Sequence, residues 1–546
     1  MKALSVRTDE EEDGPGSDLA NQSRSVNPLP LISAAGILLA ALLPRLLYLF
    51  FVSDPQNAGD GMTDTYHHWQ IGYLTSQIGL SHGLRLWDLK GMEYFWGLLH
   101  PLILVVVFLI SGSIDIVVPR LLSLTCGSLS VLLIFQLCRR YWGLRTAVAS
   151  AAFAALSPIS IFNDTQGMVE PLAIMLILAG LWWWPAKGLR AGIFWGLSTM
   201  ARAEAWAFTL GLILAMFLRR SRGDARLPMI LGWVAIMAVY TKILLDRTGN
   251  PIYPVYWEFA VEVMGRWLDP TLTSHQHAMQ ALFVLLALTA GAGLTVSLWK
   301  RPNSYMLLTY GFGSSAFVAS LLAFTPFLSS WSGWVWRSRL LTFPADFAVI
   351  LLAVLLFVLL PRRLGRQSIP ALWCAAILLL AAAQLAWLPI QSAYSATEPT
   401  WQTTMKVGRT LSVLHAEPSR REGAINIPAD HPSLTYALAR FGGVRAEQIV
   451  GQLYDPFYDL PSTYRYADHP ATASVLLQCW LRGTRSSIFV VPQTRQDYVR
   501  FVTDHPAWFT SLATIPEYDW SVQAANLPTP SSQSCAQASR AAAAGG

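Results

Sequence analysis

Charge is what this sequence has least of. Asp, Glu, Lys and Arg make up 13% of its 546 residues, about half of the roughly 25% found in soluble domains. The shortfall is spread over many long apolar runs; 53% of the chain is hydrophobic and its mean hydropathy is +0.40. Together these exclude an ordinary soluble domain and predict a polytopic membrane protein. Cysteine is scarce as well, and five residues do not make a disulfide framework. Cys126, Cys138 and Cys374 lie in or at the ends of apolar runs and read as small buried hydrophobes. Cys479 and Cys535 share the polar C-terminal stretch and can pair if that stretch is exported. No cleavable signal pattern opens the chain. Residues 1–28 are polar and acidic, with Asp9-Glu10-Glu11-Glu12-Asp13, and are expected to be a disordered cytoplasmic tail. The net charge of +6 sits in loop arginines, as in the cytoplasmic loops of membrane proteins, which argues against a nucleic-acid partner.

A spanning helix needs roughly 20 apolar residues. The candidate runs are 29–52, 117–138, 144–162, 168–185, 227–245, 278–299, 303–328, 340–360 and 369–390. Two stretches are ambiguous: 94–112, interrupted by His100-Pro101, and 191–218, broken in the middle by Arg202 and Glu204. Basic residues cluster at Arg139, Arg140 and Arg145; at Lys187 and Arg190; at Arg219, Arg220, Arg222 and Arg226; at Lys300 and Arg301; and at Arg362, Arg363 and Arg366. The positive-inside rule puts all of these in the cytoplasm. They reach it together only if 191–218 is a hairpin of two short helices turning near Arg202; with the N-terminus also inside, 94–112 must not span and is interfacial or re-entrant. The expected architecture is therefore a mostly α plasma-membrane (inner-membrane) protein of about eleven spans, N-terminus inside and C-terminus outside.

Its transmembrane region is expected over 29–390. From about Gln391 the composition becomes ordinary, with β-like runs at Ala424–Ile427, Ser487–Val491 and Thr514–Pro516. Helical patterns fill Pro432–Phe441 and Asp497–Thr503. A small exported α/β domain is expected over 391–535, with 536–546 a flexible tail.

On this topology the polar residues of the outer loops carry the chemistry. Gly59-Asp60-Gly61-Met62-Thr63-Asp64-Thr65-Tyr66-His67-His68-Trp69 opens the first outer loop. Asp64 begins an amphipathic stretch that would hold it at headgroup depth, although Asp is also a preferred N-cap. His67 and His68 are adjacent, point to different sides of a helix and make a poor chelate without an acid such as Asp64. In the second outer loop, Asp164 and Glu170 supply two more carboxyls on the same face. Glu170, followed by Pro171, also suits the first turn of a span through the helix dipole. Arg202 and Glu204 lie at a depth where ionisable groups cost roughly 3 kcal/mol unless paired or facing a wet cavity. Mutual pairing and an outward-opening polar cavity both account for them. Arg337 and Arg339 stand on the outer side against the charge rule. The guanidinium fork matches phosphate oxygens, either of ordinary headgroups or of a lipid-phosphate substrate.

Three stretches, in this order, resemble the multispanning GT-C glycosyltransferases that use polyprenyl-phosphate sugars. This class includes the protein O-mannosyltransferases and the lipid A aminoarabinose transferase, with the oligosaccharyltransferase catalytic subunit more distant. Asp64-Thr65-Tyr66-His67-His68-Trp69 is similar to the acidic motif of the first outer loop. Ser157-Pro158 through Asn163-Asp164 to Glu170-Pro171 is similar to the second-loop pattern, and Gly196-Leu197 to Arg202-Ala203-Glu204 to a Gly-Leu…Arg-x-Glu segment. The family usually carries Glu after the first Asp. Thr65 stands there instead, and Asp60 remains the alternative acid.

The resemblance implies inverting transfer of a sugar, mannose among the candidates, from a polyprenyl-phosphate donor to a protein, glycan or lipid acceptor among the membrane lipids. Asp64 or Asp60 would be the base and Arg337 and Arg339 would hold the phosphate, while Asp164, Glu170, Arg202 and Glu204, with His67 and His68, would shape the sugar site. It admits a divalent cation (Mg or Mn) between Asp64 and Asp164, as in oligosaccharyltransferase-like members, or none, as in others.

Two other classes fit many spans and a buried Arg-Glu pair: a transporter or lipid flippase, and a noncatalytic envelope scaffold. No repeated halves are evident in the sequence, as many transporter folds would show.

Overall fold

The computed structural model describes residues 31–56, 63–82, 92–184, 186–203, 205–206, 209–211, 213, 225–258, 342–361, 401–428, 431–452, 455–457 and 466–544. The expected spans at 278–299, 303–328 and 369–390 lie outside these residues, as do Asp60, Glu204, Arg337, Arg339 and Cys374.

The described residues of the N-terminal part form helices and connecting turns. It comprises α1 (Leu31–Leu47), α2 (Thr63–Gln77), α3 (Leu99–Ser111), α4 (Val117–Trp142), α5 (Leu144–Leu156), α6 (Pro158–Asp164), α7 (Glu170–Trp183), α8 (Gly188–Ala201), α9 (Arg226–Thr248) and α10 (Thr342–Val354). Among the described residues three helices are long and apolar enough to cross a bilayer, Ser33–Val52, Val117–Trp142 and Arg226–Thr248, or four if the bent pair α5–α6 is one span. The count of about eleven is thus only partly covered. α4 sets the scale: its 26 residues run about 39 Å at 1.5 Å per residue. Ala41, Cys126, Ile134, Leu137, Ala154, Leu172, Ile177, Trp195 and Ile350 form one core between α1, α4, α5, α7, α8 and α10.

The single span expected at 144–162 is broken. α5 stops at Leu156, Ser157 is extended, and α6 leaves at 57°. Pro158 forces this, because the residue before a proline is driven out of the helical region. The proline then sits harmlessly in the first turn of α6 while Ser157 Oγ accepts from the Ser160 N–H at 3.4 Å.

α8 and α9 approach closely through small residues. Gly188, Gly192 and Gly196 recur every four residues, and a Cβ added to each would fall on Ala225 O, Met229 O and Ile236 respectively. Such small-residue stripes let apolar helices pack backbone to backbone, which replaces the hydrophobic driving force that lipid removes. Gly192→Leu is expected to destabilise the detergent-purified protein by about 1–3 kcal/mol or more. Gly36, where an added Cβ would meet nothing within 4 Å, is the control. Equal thermal midpoints for the two variants would contradict the packing.

The helical part has two unlike ends. At one, Arg140 near the end of α4 donates to Trp182 O (2.8 Å) and Trp184 O (3.1 Å), and Lys187 and Arg190 lie over the Trp183 ring. At the other lie Asp115, Arg120, the 163–170 loop and Arg202. Two of the five basic clusters expected on one side of the membrane thus meet at one end.

From Trp401 the chain forms a mixed five-stranded sheet of order β2-β1-β3-β5-β4, from β1 (Ala424–Ile427), β2 (Ile449–Gly451), β3 (Ser486–Pro492), β4 (Phe509–Ile515) and β5 (Trp520–Ala525). β1 pairs in parallel with β2 and β3, and the other pairings are antiparallel. Central β3 is apolar on both faces, as a covered strand must be. Ile488 and Val490 pack under α11 (Trp401–His415) and α12 (Pro432–Arg440). Phe489 and Val491 pack on α13 (Pro470–Gly483) and α14 (Gln496–Asp504). Cys479 and Cys535 form a disulfide with Cα atoms 6.0 Å apart. The tail expected to be flexible from 536 is instead helical, α15 (Ser532–Ala544). Alanine, the strongest helix former, dominates its end, and Ala538 and Ala542 pack on Leu476 of α13.

Candidate functional site

The loop between α6 and α7 gathers the expected site. α6 ends on Asn163-Asp164, and Thr165 closes it by donating its hydroxyl to Ile161 O (3.0 Å) and Phe162 O (2.8 Å). Gly167 takes φ +79°, a turn only glycine makes without strain. α7 then starts on Glu170 with Pro171 in its first turn.

Four distant segments are fixed to this loop. Thr65, next to Asp64 in the first turn of α2, donates to Gln166 O at 2.7 Å and lies 3.3 Å from Met168 Sδ. Arg120, fully buried in α4, donates from Nε to Thr165 O (2.7 Å). Its other nitrogens reach Asp54 O (2.5 Å) and Ser53 Oγ (2.7 Å), so one guanidinium ties the exit of α1 to the loop. Arg45 of α1 donates from Nε to Asp164 Oδ2 at 2.8 Å, both groups buried. Its remaining nitrogens reach Ala41 O, Ala155 O and Ala154 O, the last of which also accepts the Ser157 N–H that ends α5. Arg202, extended just beyond α8, pairs with Glu170 at 3.3 Å, again buried.

Arg202 thus has in Glu170 a partner carboxylate from another helix; the pairing with Glu204 that the sequence offered lies outside the described residues. Behind Asp164 the backbone of α4 comes so close that a Cβ at Gly127 would fall on the carboxylate. Beneath α6 lies a second polar layer. Ser160 Oγ donates to Asp346 Oδ1 (3.4 Å) and Asn163 Nδ2 to Thr342 Oγ1 (2.6 Å), both partners on α10.

His67 and His68 sit one turn along α2 from Asp64. Their rings lie 5.3 and 5.1 Å from that of Trp96, and His68 meets His100 edge-on at 5.0 Å. Burial lowers the pKa of His67, while Asp64 and a Gln70 hydrogen bond oppose the shift, so the imidazole is neutral at pH 7. The next residue after Trp96, Gly97 (φ +95°), abuts the last carbonyls of α8, beside Arg202.

Arg45, Arg120, Asp346 and Trp96 were not singled out from sequence. The signal was there for the first three: an ionisable side chain inside an apolar run marks a functional or paired site. Asp164 Oδ2 takes a guanidinium hydrogen bond in a buried ion pair, so a cation held between Asp64 and Asp164 would share that carboxylate with Arg45. Among the described residues no three His, Cys, Asp or Glu side chains converge as a metal centre requires.

No protein-family model and no curated protein matches the chain. Among solved structures it is similar to the apo oligosaccharyltransferase of Archaeoglobus fulgidus, at TM-score 0.44 and 12% identity over 84% of this chain and 69% of that one. It is also similar to the oligosaccharyltransferase AglB of that organism in complex with an inhibitory peptide and a dolichol-phosphate (0.42, 12%, 92% and 75%). A third similar structure is apo ArnT from Cupriavidus metallidurans (0.48, 14%, 91% and 100%). At these identities and scores, none says what this chain binds or transfers.

Proposed function

We propose that the chain is a membrane glycosyltransferase moving a sugar from a polyprenyl-phosphate carrier to an acceptor at the outer face of the membrane. One observation supports this above the rest: the three stretches resembling the GT-C class meet at one loop. The first reaches it through Thr65 and Gln166, the third through Arg202 and Glu170, and the second is the loop itself.

Asp64 is the base, or the carboxylate that orients the acceptor, with Asp60 as substitute. It takes the proton of the acceptor hydroxyl or amine as the acceptor atom bonds to the anomeric carbon from the face opposite the phosphate. The bond from that carbon to the phosphate oxygen breaks, and its electron pair leaves with polyprenyl phosphate. That leaving group needs no protonation near neutral pH, so positive charge serves it better than an acid. Arg337 and Arg339 fill that role. Glu170, Arg202 and Glu204, with His67 and His68, shape the sugar site, and the Arg45–Asp164 pair fixes the loop that carries it. The basic residues gathered at the far end of the bundle support a cytoplasmic N-terminus, a transmembrane part over 29–390 and an exported unit over 391–535.

The test is incubation of the full chain, in nanodiscs, with polyprenyl-phosphate mannose and then with other polyprenyl-phosphate sugars, reading release of free polyprenyl phosphate. Release at a rate above protein-free discs is expected for at least one donor. Flux of these lipids across vesicles without cleavage of any would replace the enzyme with a transporter.

A further inference from the structure

The C-terminal unit does not simply hang from the bundle. Its helix α12 meets the first loop at three places, all close in space to Tyr436. The Tyr436 ring, fully buried, lies 5.7 Å from Tyr66 and 4.9 Å from Trp69, two aromatic residues of α2. Its hydroxyl accepts the Ile116 N–H at 3.2 Å, just before α4, and donates to Gln56 Oε1 at 3.3 Å, just after α1. Around it, Gln70 Nε2 donates to Thr435 Oγ1 (3.3 Å), Arg440 pairs with Asp115, and Trp401 stacks on Tyr66 at 5.8 Å. On the other side Trp69 Nε1 donates to Ile114 O at 2.6 Å.

One phenol therefore joins the chain before the first loop, the helix that opens on Asp64, and the chain leading to Arg120. Burial pushes its pKa up to about 12, so the hydroxyl keeps the proton it donates. A domain held only by a linker would need none of these contacts, and a docking surface of average kind would not centre on one hydroxyl with partners on two loop segments.

We propose that Tyr436 is a positioning residue: through it the C-terminal unit sets the orientation of α2, and hence of Asp64, against the 163–170 loop. This deepens the glycosyltransferase reading and rests on it for its kinetic consequence, but its geometric half stands without any activity.

The experiment separates the two. Asp64→Cys in the full chain is labelled with a water-soluble maleimide, the unsubstituted protein giving the background. Adding Tyr436→Ala is expected to change the labelling rate several-fold. Adding Arg440→Asp, which faces Asp115 with like charge, should do the same, and the further change Asp115→Arg should restore the original rate. Reversal rather than deletion is needed, since an exposed ion pair contributes little by its presence. In the transfer assay with Asp64 intact, Tyr436→Phe is expected to lower kcat about tenfold with donor KM unchanged, the mark of misplacement rather than lost binding. Labelling that ignores Tyr436→Ala and Arg440→Asp overturns the proposal, whatever the assay shows. Altered labelling with no cleavage of any donor by the unsubstituted chain keeps the clamp and removes the glycosyltransferase instead.

Discussion

Asp64→Asn is expected to lower turnover with a polyprenyl-phosphate sugar by about 10²–10⁴-fold, the range ascribed to one positioned general base. The substitution keeps the shape and the N-terminal helix position while removing the proton acceptor. Donor KM should change little, because the carboxylate acts on the acceptor. Folding should be intact: Asp64 is only partly buried, and the neighbouring Thr65–Gln166 hydrogen bond that docks α2 does not involve it. Single-turnover release of polyprenyl phosphate from equal amounts of monodisperse protein is the measurement. Wild-type rates in Asp64→Asn, with a deep loss in Asp60→Asn, would transfer the role to Asp60. Wild-type rates in both would end the mechanism.

Arg45→Met should be the most damaging single change to stability, at about 3–5 kcal/mol, the cost of removing one partner from a buried pair. It strands the Asp164 carboxylate, which Gly127 crowds from behind, and it takes the guanidinium away from Ala155 O and Ala154 O at the end of α5. Asp164→Asn alone should cost less, since the amide still accepts the Nε–H. The double variant Arg45→Met, Asp164→Asn should recover part of the loss, because no buried charge remains. Thermal unfolding in detergent across the four proteins gives the coupling directly. Additive effects would mean that the pair is not an energetic unit.

Much of the secondary structure was legible. Ala424–Ile427 is a strand as expected, and the helices at Pro432–Arg440 and Gln496–Asp504 differ from expectation by one residue at one end and by one at each end, respectively. All three carry strong local patterns between clear turn signals. The helices at Trp401–His415 and Pro470–Gly483 and the strands Ile449–Gly451 and Trp520–Ala525 were missed. The two strands are short or polar enough that only pairing with a neighbour makes them strands.

The site divides in the same way. Asp164, Glu170 and Arg202 were visible because they sit in polar punctuation between apolar runs. Arg45, Arg120 and Asp346 were hidden inside such runs, where averaging over a span's length dilutes one ion among its neighbours. Partners were the least legible feature of all. Sequence proximity offered Glu204 for Arg202, and the fold adds Glu170, a partner that no local pattern points to.

The pairing of Arg45 with Asp164, 119 residues further on, bears on how the chain is made. Ribosomes add roughly 5–20 residues per second, so the first helix leaves the translocation channel on the order of ten seconds before its counterion exists. Meanwhile its guanidinium has only carbonyls, water or headgroups for company, against an insertion penalty of about 2.5–3.5 kcal/mol for arginine at mid-bilayer. The helix is therefore expected to stay beside the channel until α6 emerges and neutralises it. Biogenesis, more than folding of the finished chain, is where this buried ion pair exacts its delay.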